Sequence, residues 1–298
     1  MKICIQVPAT SANLGPGFDC LGLALQLYNT LTIETGHPFN ITLEGKYVDG
    51  IPTDESNLIW RTMVQFWNEA HFPIPHLSLS QVNNIPPARG LGSSSAAIIS
   101  GIMAANALLP RPWSRLELLQ FANRIEGHPD NVTPALYGGV TLAVPTSSGV
   151  LPKVLPPAAD LKAVVIIPDL LLKTEAARNI LPAEVSRSEA VYNIAHTALL
   201  IHAFMSGDYD SLREGMQDRL HQEKRSALIP GMKEALQAAL DAGACSSALS
   251  GSGPTLLALT YPQKGNDVAA AMLDAIKQKG TDACSYLLDL DLEGAKIC

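Results

Sequence analysis

Ile85-Pro86-Pro87-Ala88-Arg89-Gly90-Leu91-Gly92-Ser93-Ser94-Ser95-Ala96-Ala97 is the stretch that decides how the rest of the chain is read. A short strand pattern precedes it, and an Ala/Ile-rich helical pattern (Ala96, Ala97, Ile98, Ile99, Ile102, Met103) follows. Gly90 and Gly92 let a backbone come close to a ligand, and successive loop N–H groups can converge on an oxyanion. Ser93 to Ser95 open the helix, where unpaired amides and the dipole favour phosphate. A serine hydroxyl placed there can also reach a Mg²⁺ ion that bridges phosphates. A glycine turn followed by a serine-capped helix explains Gly-Leu-Gly alone about as well. Ser95 stands where a dinucleotide fingerprint needs its third glycine, and no Gly-Lys-Ser/Thr, His-Arg-Asp or Asp-Phe-Gly occurs. Those gaps exclude a Walker loop and a protein kinase.

Outward from this loop, alternating apolar residues predict strands near 2–7, 28–35, 39–45, 76–82 and 139–145. Helical spacing appears at 56–70, 93–109 and 114–125, the last two parted by Pro110 and Pro112, which cannot continue a helix. The proline-rich stretch Pro145–Pro157 reads as a link between halves and divides the chain into domains 1–152 and 153–298. Beyond it come a buried strand at 161–168, a helix-rich region over 174–243 and strands at 245–250 and 255–261. A helix at 265–279 and a strand at 283–290 complete the order of a ferredoxin-like split βαβ unit. Both halves are therefore expected to be α+β. No internal repeat is visible.

The bulk composition agrees. The 298 residues are 47% apolar and 16% charged, the balance of a globular chain. A net charge of −7 favours neither nucleic acid nor an anionic membrane as partner. Cys4, Cys20, Cys245, Cys284 and Cys298 are odd in number and nowhere paired as Cys-x-x-Cys. They argue against a disulfide framework or a zinc site and for a reducing compartment. No apolar signal core follows Met1-Lys2, so the expected location is the cytoplasm.

Pro86-x-x-x-Gly90-Leu91-Gly92-Ser93-Ser94 resembles the ATP-binding motif of the GHMP small-molecule kinases. Two further motifs fall where that family places them: Pro8-Ala9-Thr10-Ser11-Ala12-Asn13-Leu14-Gly15-Pro16-Gly17-Phe18-Asp19 and Leu249-Ser250-Gly251-Ser252-Gly253-Pro254-Thr255. The resemblance implies a two-domain fold, an N-terminal domain like ribosomal protein S5 domain 2 and a ferredoxin-like C-terminal domain. It also implies that Pro86 to Ala96 (Pro86, Pro87, Ala88, Arg89, Gly90, Leu91, Gly92, Ser93, Ser94, Ser95, Ala96) cradle the ATP phosphates. In detail the first motif is similar to that of homoserine kinases. Asn13 and Asp19 can hydrogen-bond an ammonium or hydroxyl of a small polar substrate. The bland alternative is an Asx-rich loop that caps its own backbone.

Residues 126–131 read Glu-Gly-His-Pro-Asp-Asn. Mg²⁺ commonly takes one or two carboxylates beside phosphate oxygens, and the resemblance assigns the metal to Glu126 and Ser94. It sets His128 and Asn131 against the substrate. The resemblance leaves the role of Asp130 open. Mevalonate kinases and galactokinases use an aspartate base in this neighbourhood, homoserine kinases are described as lacking one, and a loose phosphoryl transition state permits either. Beside a proline, Asp130 could equally be a turn residue. Lys173-Thr174-Glu175-Ala176-Ala177-Arg178 places Thr174 and Arg178 on one helical face. By the same resemblance Thr174 is expected at the reacting hydroxyl, and Arg178 and Arg225 are expected to clamp a substrate carboxylate. Arg187 and Arg219 read as ordinary surface cations. Ser250 to Pro254 reads as support packed beneath the phosphate loop. Asn57 is either a wall of the adenine pocket or a helix cap.

The expectation is transfer of phosphate from ATP, with Mg²⁺, to homoserine. The alternatives are a kinase of another small alcohol such as mevalonate and a nucleotide-binding sensor without turnover. The resemblance also implies a homodimer.

Overall fold

The computed structural model describes residues 1–156, 158 and 160–298. Apolar alternation over the first thirty-five residues produces two long strands, β1 (Lys2–Ala12) and β2 (Leu21–Thr35). They pair antiparallel from Lys2 opposite Glu34 to Ala12 opposite Gly22, with a register shift between Pro8 and Ala9. Ile3, Ile5, Val7 and Ala9 of β1 and Leu31 and Ile33 of β2 turn into the core. β2 is long enough to serve two further partners. Residues 30–35 pair with β4 (Leu77–Val82), which carries β3 (Asn40–Glu44) parallel on its other edge. Residues 21–23 pair with β5 (Val140–Thr146), which continues into β6 (Gly149–Val154).

Four helices pack with this sheet: α1 (Leu58–Glu69), α2 (Ser93–Asn106), α3 (Arg115–Glu126) and α4 (Pro129–Tyr137). α1 buries Ile59, Met63, Phe66 and Trp67, one face of a 3.6-residue repeat. α2 is buried nearly all round, so its small residues give a central helix with no polar face.

The second half runs β7 (Lys162–Pro168), α5 (Thr174–Asn179), α6 (Arg187–Ser206), α7 (Leu212–Gly215), α8 (Gln222–Arg225) and α9 (Met232–Asp241). It ends with β8 (Ser246–Leu249), β9 (Leu256–Thr260), α10 (Gly265–Lys277) and β10 (Ala283–Asp289). Its sheet order is β10-β7-β9-β8, every neighbour antiparallel, which is the expected split βαβ arrangement.

Four expectations need correction. Most of Pro145–Pro157 is not a link: Thr146 pairs with Gly149 and Pro145 with Val150 across a hairpin, so the division expected at 152/153 falls inside β6. Pro157, the last residue of that stretch, lies outside the described residues. Residues 129–137 form a helix, with Pro129 in its first turn, where a missing N–H costs nothing. The chain end returns to the first sheet as β11 (Lys296–Ile297), pairing Ile297 with Ile5. There Cys298 is disulfide-bonded to Cys4, with Cα atoms 5.2 Å apart. The absence of local Cys spacing could not reveal a bond closed across a sequence separation of 294.

Candidate active site

The phosphate loop ends on Gly92, the N-terminal cap of α2, at φ 68° and with no side chain on the helix's first free amides. A Cβ at Gly92 would lie 1.9 Å from Thr10 Oγ1, and one at Gly90 would lie 2.4 Å from Ser250 O. The first and third motifs therefore close on the loop from two sides, and both glycines are required by that packing. Ser250 Oγ donates to Gly90 O at 2.6 Å, and Thr255 N donates to Arg89 O at 3.2 Å, so the third motif is the loop's support.

Glu126, the last residue of α3, faces the start of α2. Ser94 Oγ donates to Glu126 Oε2 at 3.0 Å and Ser95 Oγ to Oε1 at 2.7 Å. Gly127 at φ 85° turns the chain, and α4 begins after His128, again with no side-chain cap. Two helix N-termini thus open on one cavity of about 290 Å³. Such convergence favours an anion.

Across this cavity Arg178 grips Asp19 bidentately, Nη1 to Oδ2 at 3.0 Å and Nη2 to Oδ1 at 2.7 Å. His128 Nδ1 lies 2.8 Å from Asp130 Oδ1. Burial alone would lower the His128 pKa, but the hydrogen bond and charge of Asp130, with Glu126, outweigh it and set it above the ordinary 6.5. Thr10 Oγ1 donates to Asn131 Oδ1 at 2.7 Å, and Thr174 Oγ1 lies 3.3 Å from Ser252 Oγ.

Asn13 and Arg225 border the cavity and also bond to the scaffold. Asn13, at φ 71°, donates Nδ2 to Gly251 O and accepts the Asp19 N–H, which is the local-capping alternative. Arg225 is 1% exposed; Nε donates to Ala177 O at 3.0 Å and Nη1 to Gly251 O at 3.1 Å. Burial first, then the charge of Arg178, push its pKa down to about 10, so it stays cationic near neutrality. His221, also buried, accepts from Arg225 at Nδ1 and donates from Nε2 to Gly15 O.

The cavity gathers Asn13, Asp19, Ala88, Arg89, Gly90, Gly92, Ser93, Ser94, Glu126, His128, Asp130, Asn131, Thr174, Arg178 and Arg225. Five loop residues, Pro86, Pro87, Leu91, Ser95 and Ala96, do not border it. Leu91 and Ala96 turn their side chains into the core, and Ser95 is fully buried against Glu126. Pro86 borders a crevice between the two sheets. Arg89 borders the cavity but directs its guanidinium to Pro168 O and Asp169, acceptors of the second half that stand within 3.1 Å. Arg219 stacks over Tyr192, 3.8 Å from the ring centroid.

A second cavity of about 240 Å³ adjoins the first, sharing Ala88, Ser93 and Ser94 with it. Pro87, Asn57, Leu58 and Ile59 line it. Asn57 is both wall and cap, since Oδ1 accepts the Ile59 N–H at 2.9 Å while Nδ2 donates to Pro52 O. Lys173 and Ser252 also border the first cavity; sequence reasoning gave Lys173 no role and Ser252 only that of support. Their signal was adjacency, Lys173 to Thr174 and Ser252 inside the third motif.

Among the described residues no three His, Cys, Asp or Glu side chains converge to cage a metal. One carboxylate beside a hydroxyl suits Mg²⁺, an ion that keeps open positions for water and phosphate oxygens. Glu126 and Ser94, both bordering the cavity, fit that ion.

The family description "GHMP kinases N terminal domain" matches residues 57–139 and "GHMP kinases C terminal" matches residues 200–279. The chain is 53% identical over 293 residues to a homoserine kinase of Desulfitobacterium hafniense, covering 98% of this chain and 99% of that one. It is 44% identical over 301 residues to a homoserine kinase of Synechococcus sp., covering 100% and 98%. The crystal structure of homoserine kinase from Cytophaga hutchinsonii superposes with a TM-score of 0.90 at 31% identity, covering 100% and 97%. With its phosphate loop, carboxylate and three motifs assembled as described, the chain belongs to the homoserine kinase family of the GHMP kinases.

Proposed function

We propose that the chain transfers the γ-phosphate of ATP to the side-chain hydroxyl of L-homoserine, giving O-phospho-L-homoserine for threonine biosynthesis. One observation carries the reading: a single cavity has an anion-binding end, the starts of α2 and α4 beside Glu126, and a zwitterion-binding end, the Asp19–Arg178 pair. An amino acid offers the two charges that this ion pair offers itself. We assign Asp19 to the substrate ammonium and Arg178 to its carboxylate, the pair opening as substrate enters. Arg225 and Asn13 hold the loops that carry these groups.

His128, Asn131 and Thr174 orient the hydroxyl for in-line attack on the γ-phosphorus. The bond to the β–γ bridging oxygen breaks, ADP leaves, and the hydroxyl proton passes late to a phosphoryl oxygen. Asp130 holds His128 through Nδ1 and is not required as the base. Loop amides of Gly90 to Ser94 and Lys173 take phosphate charge. Glu126 and Ser94 would hold Mg²⁺, which supplies charge neutralisation on the phosphates when bound. The second cavity takes the nucleoside, with Asn57 and Pro87 on its walls.

We further place the chain in the cytoplasm as a homodimer that binds neither nucleic acid nor membrane. Its net charge of −7 supports the last two points. No described helix is long and apolar enough to cross a membrane. The test is ADP release by the purified chain with homoserine, mevalonate or galactose as acceptor. Turnover with homoserine and formation of its phosphate ester is expected. Turnover with mevalonate alone would move the chain to another GHMP activity, and nucleotide binding without turnover would make it a sensor.

A further inference from the structure

Beneath the second cavity runs a line of buried amide side chains whose polarity is fixed from the backbone upward. Asn29 Oδ1 accepts the N–H of Asn84 at 2.8 Å and of Ile85 at 2.9 Å, so its Nδ2 must face away from them. That Nδ2 donates to Asn83 Oδ1. Asn83 in turn directs Nδ2 to Tyr47 O at 2.5 Å and Ile85 O at 3.2 Å. Gln81 can meet Asn83 Oδ1 only with a donor, and its Nε2 stands 3.4 Å away. Gln81 Oε1 is thereby left as the free end. A flipped amide would oppose two acceptors.

Gln81 borders the second cavity, is 4% exposed, and its Oε1 has no hydrogen-bond partner among the described residues. Of the buried side-chain atoms in that condition, it alone belongs to a residue lining either cavity at the phosphate loop. Native proteins rarely leave a buried acceptor unpaired without a use for it.

We propose that Gln81 selects the base of the nucleotide, its Oε1 accepting a hydrogen bond from the exocyclic 6-amino group of adenine. The proposal rests on the reading of the second cavity as the nucleoside site. A 6-oxopurine would set its own acceptor against Oε1, and an unsubstituted purine would leave Oε1 unpaired. Gln81 is thus a specificity residue, placed by Asn29 and Asn83.

The experiment pairs a change in the residue with a change in the ligand. KM is measured for ATP, inosine triphosphate and purine ribonucleoside triphosphate, with wild type and with Gln81→Met, which keeps the volume and removes the acceptor. In wild type, KM for both analogues should exceed that for ATP roughly 10- to 100-fold. In Gln81→Met the gap should shrink to about three-fold or less, with KM for homoserine unchanged, a pattern that a loss of packing alone would not produce. A gap that persists in the variant, or is absent in wild type, overturns the proposal. The wild-type comparison needs no variant, so it decides even if Gln81→Met fails to fold. Absence of any transfer from ATP would instead sink the kinase reading, and this proposal with it.

Discussion

Glu126 accepts from two serine hydroxyls, so Glu126→Gln keeps the shape of the site while removing the carboxylate that meets Ser94. We expect kcat to fall roughly 10²–10³-fold, and Ser94→Ala to act in the same direction more weakly because Ser95 still anchors Glu126. A kcat titration over Mg²⁺ checks this, and wild-type rates at limiting metal would remove both residues from the metal. The two arginines are expected to separate. Arg178 is partly exposed and pairs with a partly exposed Asp19, so Arg178→Leu should cost below about 1 kcal/mol of stability. It should raise KM for homoserine about 30-fold or more and leave KM for ATP in place. Arg225→Leu strands the carbonyl of Ala177 and leaves Gly251 O with Asn13 alone, and should destabilise by about 1–3 kcal/mol. Urea unfolding beside both KM values distinguishes them; equal stability losses would contradict the division into substrate arm and scaffold.

At the scale of elements, the last strand does more than its two residues suggest. Asp291, 2% exposed, accepts from Tyr28 and from the amides of Glu293 and Gly294, while Ala295 N donates to Ala135 O. The tail thereby braces α4, which is preceded by His128 and whose first turn carries Asp130 and Asn131. Cys298 bonds that tail to β1 across nearly the whole chain. Closing so long a loop restricts the unfolded chain, so Cys298→Ser should lower stability by about 2–4 kcal/mol. Thermal unfolding with and without reductant is the measurement. Reductant should lower the Tm of wild type and leave Cys298→Ser unmoved; an unmoved wild type would show the bond contributes nothing.

For the whole molecule, two histidines set opposite limits on pH. Burial, against the charge of Asp218, holds the His221 pKa below the ordinary 6.5, so the unfolded chain binds the extra proton first as pH falls. Stability should then drop on acidification below about 6.5, by at most about 1.4 kcal/mol per pH unit from this group. His128 lies above 6.5, so its contribution is complete below that pH and is lost as pH rises through its folded value. Unfolding free energy should therefore peak near pH 6.5, and His221→Gln should flatten the acid side. A maximum well below pH 6 would refute the assignment of either group. The same molecule-wide view explains the crevice between sheets: Arg89 leaves the phosphate loop to reach Pro168 O and Asp169, tying the two halves together.

Local periodicity was enough to read most of β1 to β5, α1 to α3 and the split βαβ order, because the residues that set each element are near neighbours in the chain. The loop from Pro86 to Ala97 likewise pointed to an anion site, since its glycines, serines and helix start act within one short stretch. What escaped was non-local or too short for a pattern. A strand of two residues has no period, and α4 hid behind two prolines. The pairing of Asp19 with Arg178 spans 159 residues, and no spacing rule predicts it. The same holds for Gln81, whose free oxygen is decided by amides of Asn84 and Ile85 acting through Asn29 and Asn83. The sequence by itself determined the elements and the kind of chemistry. Only the tertiary structure decided which charges meet and which acceptor is left without a donor, because both depend on contacts between strands and loops far apart in the chain.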